Sequence, residues 1–261
     1  MKIKLSGYIF NIRLIPLTVT LVAFAILFRL GYWQTTRAEE KVERKAHIEQ
    51  LQKQGVIELF QLASFIEKYD PTGLLVSVTG QFIPEKAWLL DNQIVKGKPG
   101  YDVLVAFQPG DEKTHLLVNL GWIQGDYGNR QVLPEVSIPE GEFSLELMVK
   151  SEDKQTITLS NIQESDRRWP KRIQQVDFDW LKASHGQSFM PVTFLLNSVS
   201  GIKQASTDQS LLLSKYIYHY NPVVMEPEKH RGYAMQWFLL AASVLIIFIV
   251  ASREKQHQET P

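Results

Sequence analysis

The chain has 261 residues, 28 basic and 28 acidic side chains that cancel to no formal net charge, 44% hydrophobic residues and no cysteine. Neutrality, with no basic tract, removes the electrostatic case for a nucleic-acid or other polyanionic partner, and the missing cysteine excludes disulfide frameworks, thiolate metal sites and cysteine nucleophiles. Setting aside two apolar ends leaves roughly 190 residues, enough for one globular domain with its own core.

The N-terminal stretch carries Lys2, Lys4 and Arg13 with no acidic residue, and residues 14–28 are uncharged. Arg29 interrupts the run, but a long basic side chain near the interface can snorkel, so a first membrane span over residues 14–33 is predicted. A cleaved signal peptide is the rival; Phe28, Arg29 and Leu30 follow the apolar core where a small-x-small cleavage site belongs, which favours an uncleaved anchor. Ala38, Val42 and Ala46, spaced by four among charged residues, predict a helix continuing over 37–54. Gly55 ends it, a short helix is expected over 57–66, and Asp70-Pro71-x-Gly73 makes a turn.

From there the period changes to two. Leu74, Val76, Val78, Gly80 and Phe82 predict a strand with one buried face, and residues 86–94 its partner. Pro99-Gly100 suits the centre of a type II turn. Tyr101, Val103, Val105 and Phe107, then Leu116, Val118, Leu120 and Trp122, continue an antiparallel meander. Residues 125–139 read as an exposed loop; Phe143, Leu145, Leu147 and Val149 form a further strand, extended by residues 156–159. Residues 161–170 read as loop, Asp177 caps a short helix over 178–185, and 189–196 is another strand. Residues 202–208 read as flexible, and 216–220 as a last strand before Asn221-Pro222. The expected fold is an α+β membrane protein in which two terminal helices flank a mainly antiparallel β domain, an open sheet or partial barrel with a few short helices.

Residues 232–252 carry no charge, and at about 1.5 Å per residue that length crosses a hydrocarbon core. Tyr233 and Trp237 mark one interface, and Arg253 with Lys255 closes the other end. The expected segments are a cytoplasmic tail 1–13, a span 14–33, an extracytoplasmic domain 34–229, a span 230–252 and a cytoplasmic tail 253–261. On a helix, residues 230, 233, 234 and 237 share a face, so His230, Tyr233 and Trp237 line one candidate groove, and this topology brings Trp33, Gln34 and Arg37 to the same membrane side.

Enzyme signatures are missing: there is no phosphate-cradling glycine loop, no helical histidine pair around a glutamate, and no serine elbow. A non-enzymatic role is therefore expected. His47, His115, His185, His219 and His257 are scattered and receive no role; Glu226, Glu228 and His230 read as interfacial polarity before they read as a metal site. His230 on its own reads as a helix anchor, Trp33 and Trp237 as belt residues, and Arg37 as a snorkelling cation. Together they permit something more, since a neutral imidazole is a common axial ligand of haem iron, aromatic rings can shelter a porphyrin, and a guanidinium can meet its propionates.

Leu30-Gly-Tyr-Trp-Gln-Thr-Thr-Arg37 with Lys41, Gly97-Lys-Pro-Gly-Tyr101, Val118-Asn-Leu-Gly-Trp122, Trp169-Pro170 and His230-x-x-Tyr-Ala-x-x-Trp237 occur in the order found in the surfeit locus protein 1 family, which the chain resembles over almost its whole length. The resemblance implies an assembly factor for haem-copper cytochrome c oxidase that holds haem a transiently and aids its insertion into oxidase subunit I. It further implies His230 as the ligand of the metal, the haem iron; beside it Tyr233 and Trp237 would supply one apolar wall, and Trp33, Gln34 and Arg37 the opposing one, as the expected haem-binding residues. Other oxidase assembly factors or haem A synthase are the further partners it implies. A bacterial plasma (inner) membrane, with the central domain periplasmic, is the implied location, because no arginine- and serine-rich transit segment precedes the first span. Leu120 stands where the family usually has arginine, and Gln236 where threonine is common. The alternative is a haem-independent scaffold that stabilises an oxidase assembly intermediate.

Overall fold

The structure is a computed structural model that describes residues 2–5, 8–110, 112–126, 128–152, 169–196, 213–221 and 225–253. The expected strand over 156–159, most of the loop 161–170 and the flexible stretch 202–208 lie outside the described residues. Two compact units divide the chain: residues 1–46 with 222–261, and residues 47–221.

In the first unit, β1 (Lys2–Leu5) and β2 (Tyr8–Asn11) form an antiparallel hairpin in what sequence periodicity leaves as a tail. Helix α1 (Leu14–Lys53) continues unbroken through the expected span and the charged stretch beyond it, passing from this unit into the second at residues 46 and 47. Helix α4 (Pro227–Ser252) begins with proline in its first turn, where the missing N–H is no loss. Both helices are long and apolar enough to cross a membrane, and Val19, Val22, Ile26, Ile246, Ile247 and Val250 lie exposed along them. Water would penalise so much uncovered hydrocarbon, whereas lipid accepts it, as in a multi-pass membrane protein. The two helices pack through small residues: Ala38, Ala234 and Ala241 are buried, and the Phe238 ring lies where any side chain on Gly31 would be, with a Cβ only 2.7 Å from it. Such close approach is how membrane helices associate when burial from water cannot drive them.

The second unit is a closed barrel. Strand β4 (Leu75–Val95) pairs with β5 (Lys98–Pro109), β5 with β6 (His115–Gln124), β6 with β9 (Phe189–Leu195), β9 with β7 (Glu142–Lys150), and β7 again with β4. Closure goes beyond the expected open sheet or partial barrel by removing the free edges. It requires one parallel contact, β6 with β9; β3 (Val56–Glu58) and β8 (Lys171–Ile173) also join β4 in parallel, so the sheet is mixed, with its long pairings, β4 with β5, β5 with β6 and β4 with β7, antiparallel.

Two strand assignments need correction. Residues 74–82 and 86–94 are halves of β4, not partners: the first half pairs with β7 and, from Gly80 to Phe82, with β5 as well, the second pairs with β5, and a register shift between Phe82 and Ala87 bends the strand between them. Pro84 sits in that irregularity, where a missing backbone donor is tolerated. The turn before β5 is Lys96-Gly97, both with positive φ (50° and 76°) as a type I′ hairpin needs, while Pro99 and Gly100 already pair within β5. Residues 216–220 contribute a single bridge, Ile217 to Trp122, instead of a strand.

The apolar alternation does face inward. Val76, Val78, Val103, Val105, Phe107, Leu116, Val118, Leu120, Phe143, Leu145 and Leu147 belong to the interior cluster, joined by Leu51 of α1 and Leu62 of α2 (Leu59–Ile66). Leu120, at the family's arginine position, is fully buried there, next to a register shift against β5. A second cluster lies on the outer face, where Trp88, Leu104, Ala106 and Leu117 meet Leu181 of α3 (Phe178–His185). Asp177 caps α3 as expected, accepting from the N–H groups of Asp179 and Trp180, and Gly186 closes it in the left-handed conformation.

Candidate functional site

His230 opens α4 one turn beyond its N-terminus, and its side is buried against α1. Its Nδ1 donates to Oε1 of Gln34 at 2.7 Å, joining two residues 196 positions apart. The amide oxygen accepts, so the proton of this bond sits on Nδ1, and in the neutral ring Nε2 is then the lone-pair nitrogen. Ordered imidazole ligands are held in this way, by a second partner that fixes tautomer and ring direction.

The other candidates surround this pair unequally. Trp33 and Arg37, four apart on α1, stack with the guanidinium 5.8 Å from the ring centroid. Arg37 also meets Glu40 at 2.6 Å, both about half exposed, so its charge is shared but easily released. Trp33 is 48% exposed, Tyr233 is 45% exposed and Trp237 is half-buried. Trp237 follows His230 by seven residues, two turns, and so rises above it on the same side of α4. Farther out, Lys45 of α1 pairs with Glu226 immediately before α4.

A haem iron fits this donor set at one point, through a single oriented imidazole at an apolar helix pair; the six residues do not enclose a pocket, and cover on the open side falls to the exposed rings. Among the described residues no group of three or more histidine, cysteine, aspartate or glutamate side chains is placed to hold a free metal ion.

Two further polar groups lie in the barrel unit, and nothing in the sequence links their members. Asp102 of β5 accepts from Asn119 Nδ2 at 2.9 Å and pairs with His219 Nε2 at 2.5 Å, and Asn119 Oδ1 accepts from the Gly121 N–H. The hydrogen bond that His219 donates to Asp102 raises the His219 pKa, burial opposing it and the carboxylate charge adding to it. Trp122 of the same motif donates to Gln93 O, and its indole passes where a Cβ on Gly100 would lie, 2.5 Å away. The glycine-tyrosine and asparagine-x-glycine-tryptophan motifs are thus one packing unit. On the outer face, His115 Nδ1 and His185 Nε2 lie 2.7 Å apart, both buried. Burial pushes His185 down to about 4, helped by His115 and Lys86, and lowers His115 for the same first cause.

The SURF1 family matches residues 21–242 of the chain. A SURF1-like protein of Rickettsia felis is 23% identical over 239 residues, covering 90% of this chain and 96% of that protein. The SURF1-like protein of Rickettsia bellii is 23% identical over 237 residues, 89% of each chain. The matched stretch runs from within α1 to within α4, so it takes in both apolar helices and the barrel between them. The chain belongs to the SURF1 family.

Proposed function

We propose that this chain is an assembly factor for a haem-copper oxidase, that it holds haem a at the mouth of its paired membrane helices with His230 as axial ligand, and that it passes the haem to oxidase subunit I. When bound, haem a would supply an iron for the His230 imidazole to ligate. The chain's own residues do the rest: Gln34 holds Nδ1 and aims Nε2, Trp33, Tyr233 and Trp237 offer apolar cover, and Arg37 meets a propionate by exchanging its exposed Glu40 partner. No covalent step is asked of the protein. Transfer would run downhill provided subunit I binds the haem more tightly than this chain does. Further oxidase assembly factors or haem A synthase would dock on the same assembly. The proposal places both termini in the cytoplasm and the barrel in the periplasm of a bacterial inner membrane, on the basic residues Lys2, Lys4, Arg13, Arg253 and Lys255.

The observation that supports this reading is the His230–Gln34 hydrogen bond, which gives an otherwise ordinary interfacial histidine a defined tautomer. The test is the visible spectrum of the purified protein co-produced with haem A biosynthetic enzymes. A Soret band in the wild type that is lost or shifted in His230→Ala is expected; a colourless wild type in the presence of abundant haem A would refute haem custody.

A second reading, a haem-independent scaffold, draws on one feature of the barrel. At the β4–β5 hairpin an open cleft of about 270 Å³ is lined by Asp91, Asn92, Ile94, Tyr101 and Arg130, and Ile94 is 69% exposed. If the scaffold reading holds, His230→Ala leaves oxidase haem content unchanged, while Ile94→Glu abolishes oxidase assembly.

A further inference from the structure

The hairpin β1–β2 is amphipathic by its register. Lys2 pairs with Asn11 and Lys4 with Ile9, while Ile3 pairs with Phe10 and Leu5 with Tyr8. Residues opposite one another in an antiparallel ladder share a face, so both lysines fall on one face and the other is entirely apolar. A lone two-stranded hairpin is marginal in water. This one is tied to both membrane helices instead. Two residues separate β2 from Leu14, where α1 begins. Arg253, just past the end of α4, pairs with Phe10 in an antiparallel bridge and lays its guanidinium 3.8 Å from the centroid of the Tyr8 ring. The hairpin therefore sits where two apolar helices stop, with Leu14, Ile15, Ile249 and Val250 exposed on them. In a bilayer that is the level at which hydrocarbon gives way to headgroups.

Charge is concentrated at the same place. No acidic residue precedes Glu39, and residues 1–13 with 253–261 carry Lys2, Lys4, Arg13, Arg253 and Lys255 against Glu254 and Glu259. Arg13 and Arg253 are exposed, and among the described residues neither is ion-paired with an acidic side chain. A guanidinium stacked on an aromatic ring keeps its N–H edge free, the edge that meets a phosphate with two parallel hydrogen bonds. We propose that the hairpin is a docking surface for acidic phospholipid headgroups: its lysine face, with Arg13 and Arg253, meets the phosphates, and its apolar face lies toward the acyl chains. Charge complementarity and the two helices that deliver the hairpin to a membrane surface single out this occupant. The inference rests on those helices crossing a membrane and is independent of the haem reading. Through the Arg253–Tyr8 stack, the headgroup layer then clamps the start of α1 to the end of α4.

The test reconstitutes the full-length protein in phosphatidylcholine bilayers doped with spin-labelled phosphatidylglycerol or spin-labelled phosphatidylcholine, and reads the motionally restricted fraction of each by electron paramagnetic resonance. The wild type should hold the acidic lipid at least about fivefold more tightly, the worth of one cation at a bilayer surface. Raised salt should reduce that preference, as should Lys2→Gln with Lys4→Gln, and Arg13→Gln. Tyr8→Ser leaves the charge unchanged and removes the ring beneath Arg253, and it should lower the preference as well. Equal association of the two lipids with the wild type overturns the proposal, and so does a preference that survives the lysine and arginine variants. A preference lost in those variants but untouched by Tyr8→Ser would assign it to a charged tail and not to the folded hairpin. No lipid preference, together with a disulfide between two copies of an Ile9→Cys protein, would give the face to a second copy of the chain instead.

Discussion

Gln34 decides what His230 can do. Without its acceptor the imidazole has no reason to keep its proton on Nδ1, and both nitrogens compete for whatever the interface offers. Gln34→Leu should therefore weaken haem binding by about 10- to 100-fold in a Soret titration, the usual cost of losing a ligand's hydrogen-bond partner. An unchanged titration would mean that the contact only joins the helices. The barrel histidines make a separate prediction about acid. His185 is held to about 4 in the fold against 6.5 unfolded, so the unfolded chain binds more protons between those values. Its contribution to stability is complete above pH 6.5 and is lost as pH falls toward 4. His219 works in the opposite sense: its pKa is raised by Asp102, so its contribution is complete below pH 6.5 and is lost as pH rises through the higher folded value. Melting temperatures should peak near neutral pH, and His185→Phe should flatten the acid limb alone. An acid limb that persists in that variant would assign it to other groups.

At the scale of elements, the helix pair depends on the absence of a side chain at residue 31. A Cβ there would sit 2.7 Å from the Phe238 ring, so either that ring or the helix axis must shift to admit one. Gly31→Val should separate α1 from α4, and Phe238→Ala should restore the pair by opening the space. The cysteine-free sequence makes this measurable: Gln34→Cys and His230→Cys joined by a short bismaleimide should cross-link in the parent, fail with Gly31→Val and recover in the Phe238→Ala double variant. Efficient cross-linking of the Gly31→Val protein would show that the helices tolerate the extra volume. In the barrel the corresponding device is β4, which has a different partner for each half and bends between them. One strand thereby belongs to both walls, as closure with five strands requires.

At the scale of the whole molecule, the two apolar helices have too little protein cover to be core elements. Leu14, Ile15, Val19, Ile246 and Val250 are each more than half exposed, and only a lipid phase makes that favourable. Sodium carbonate extraction should leave the chain in the membrane pellet; release into the supernatant would contradict the two-span reading.

The sequence by itself determined the two apolar helices, the short capped helix after Asp177, and the inward faces of residues 74–82, 101–107, 116–120 and 143–149, because those properties depend on local period, charge and capping chemistry. Tyr101, Val103, Val105 and Phe107 could be assigned to one face from their spacing alone. It also put Gln34 and His230 at the facing ends of the two apolar runs. Only the tertiary structure decided that their side chains meet, that β4 is one strand, that β6 runs parallel to β9, and that His115 finds His185 and Asp102 finds His219. Spacing reports the face a residue occupies, not the partner across it, and these side-chain contacts join residues from 70 to 196 positions apart. Residues 74–82 and 86–94, which read along the chain as two paired strands, are one bent strand whose edges pair with β5 and β7, and that pairing is a property of the closed barrel rather than of any segment within it.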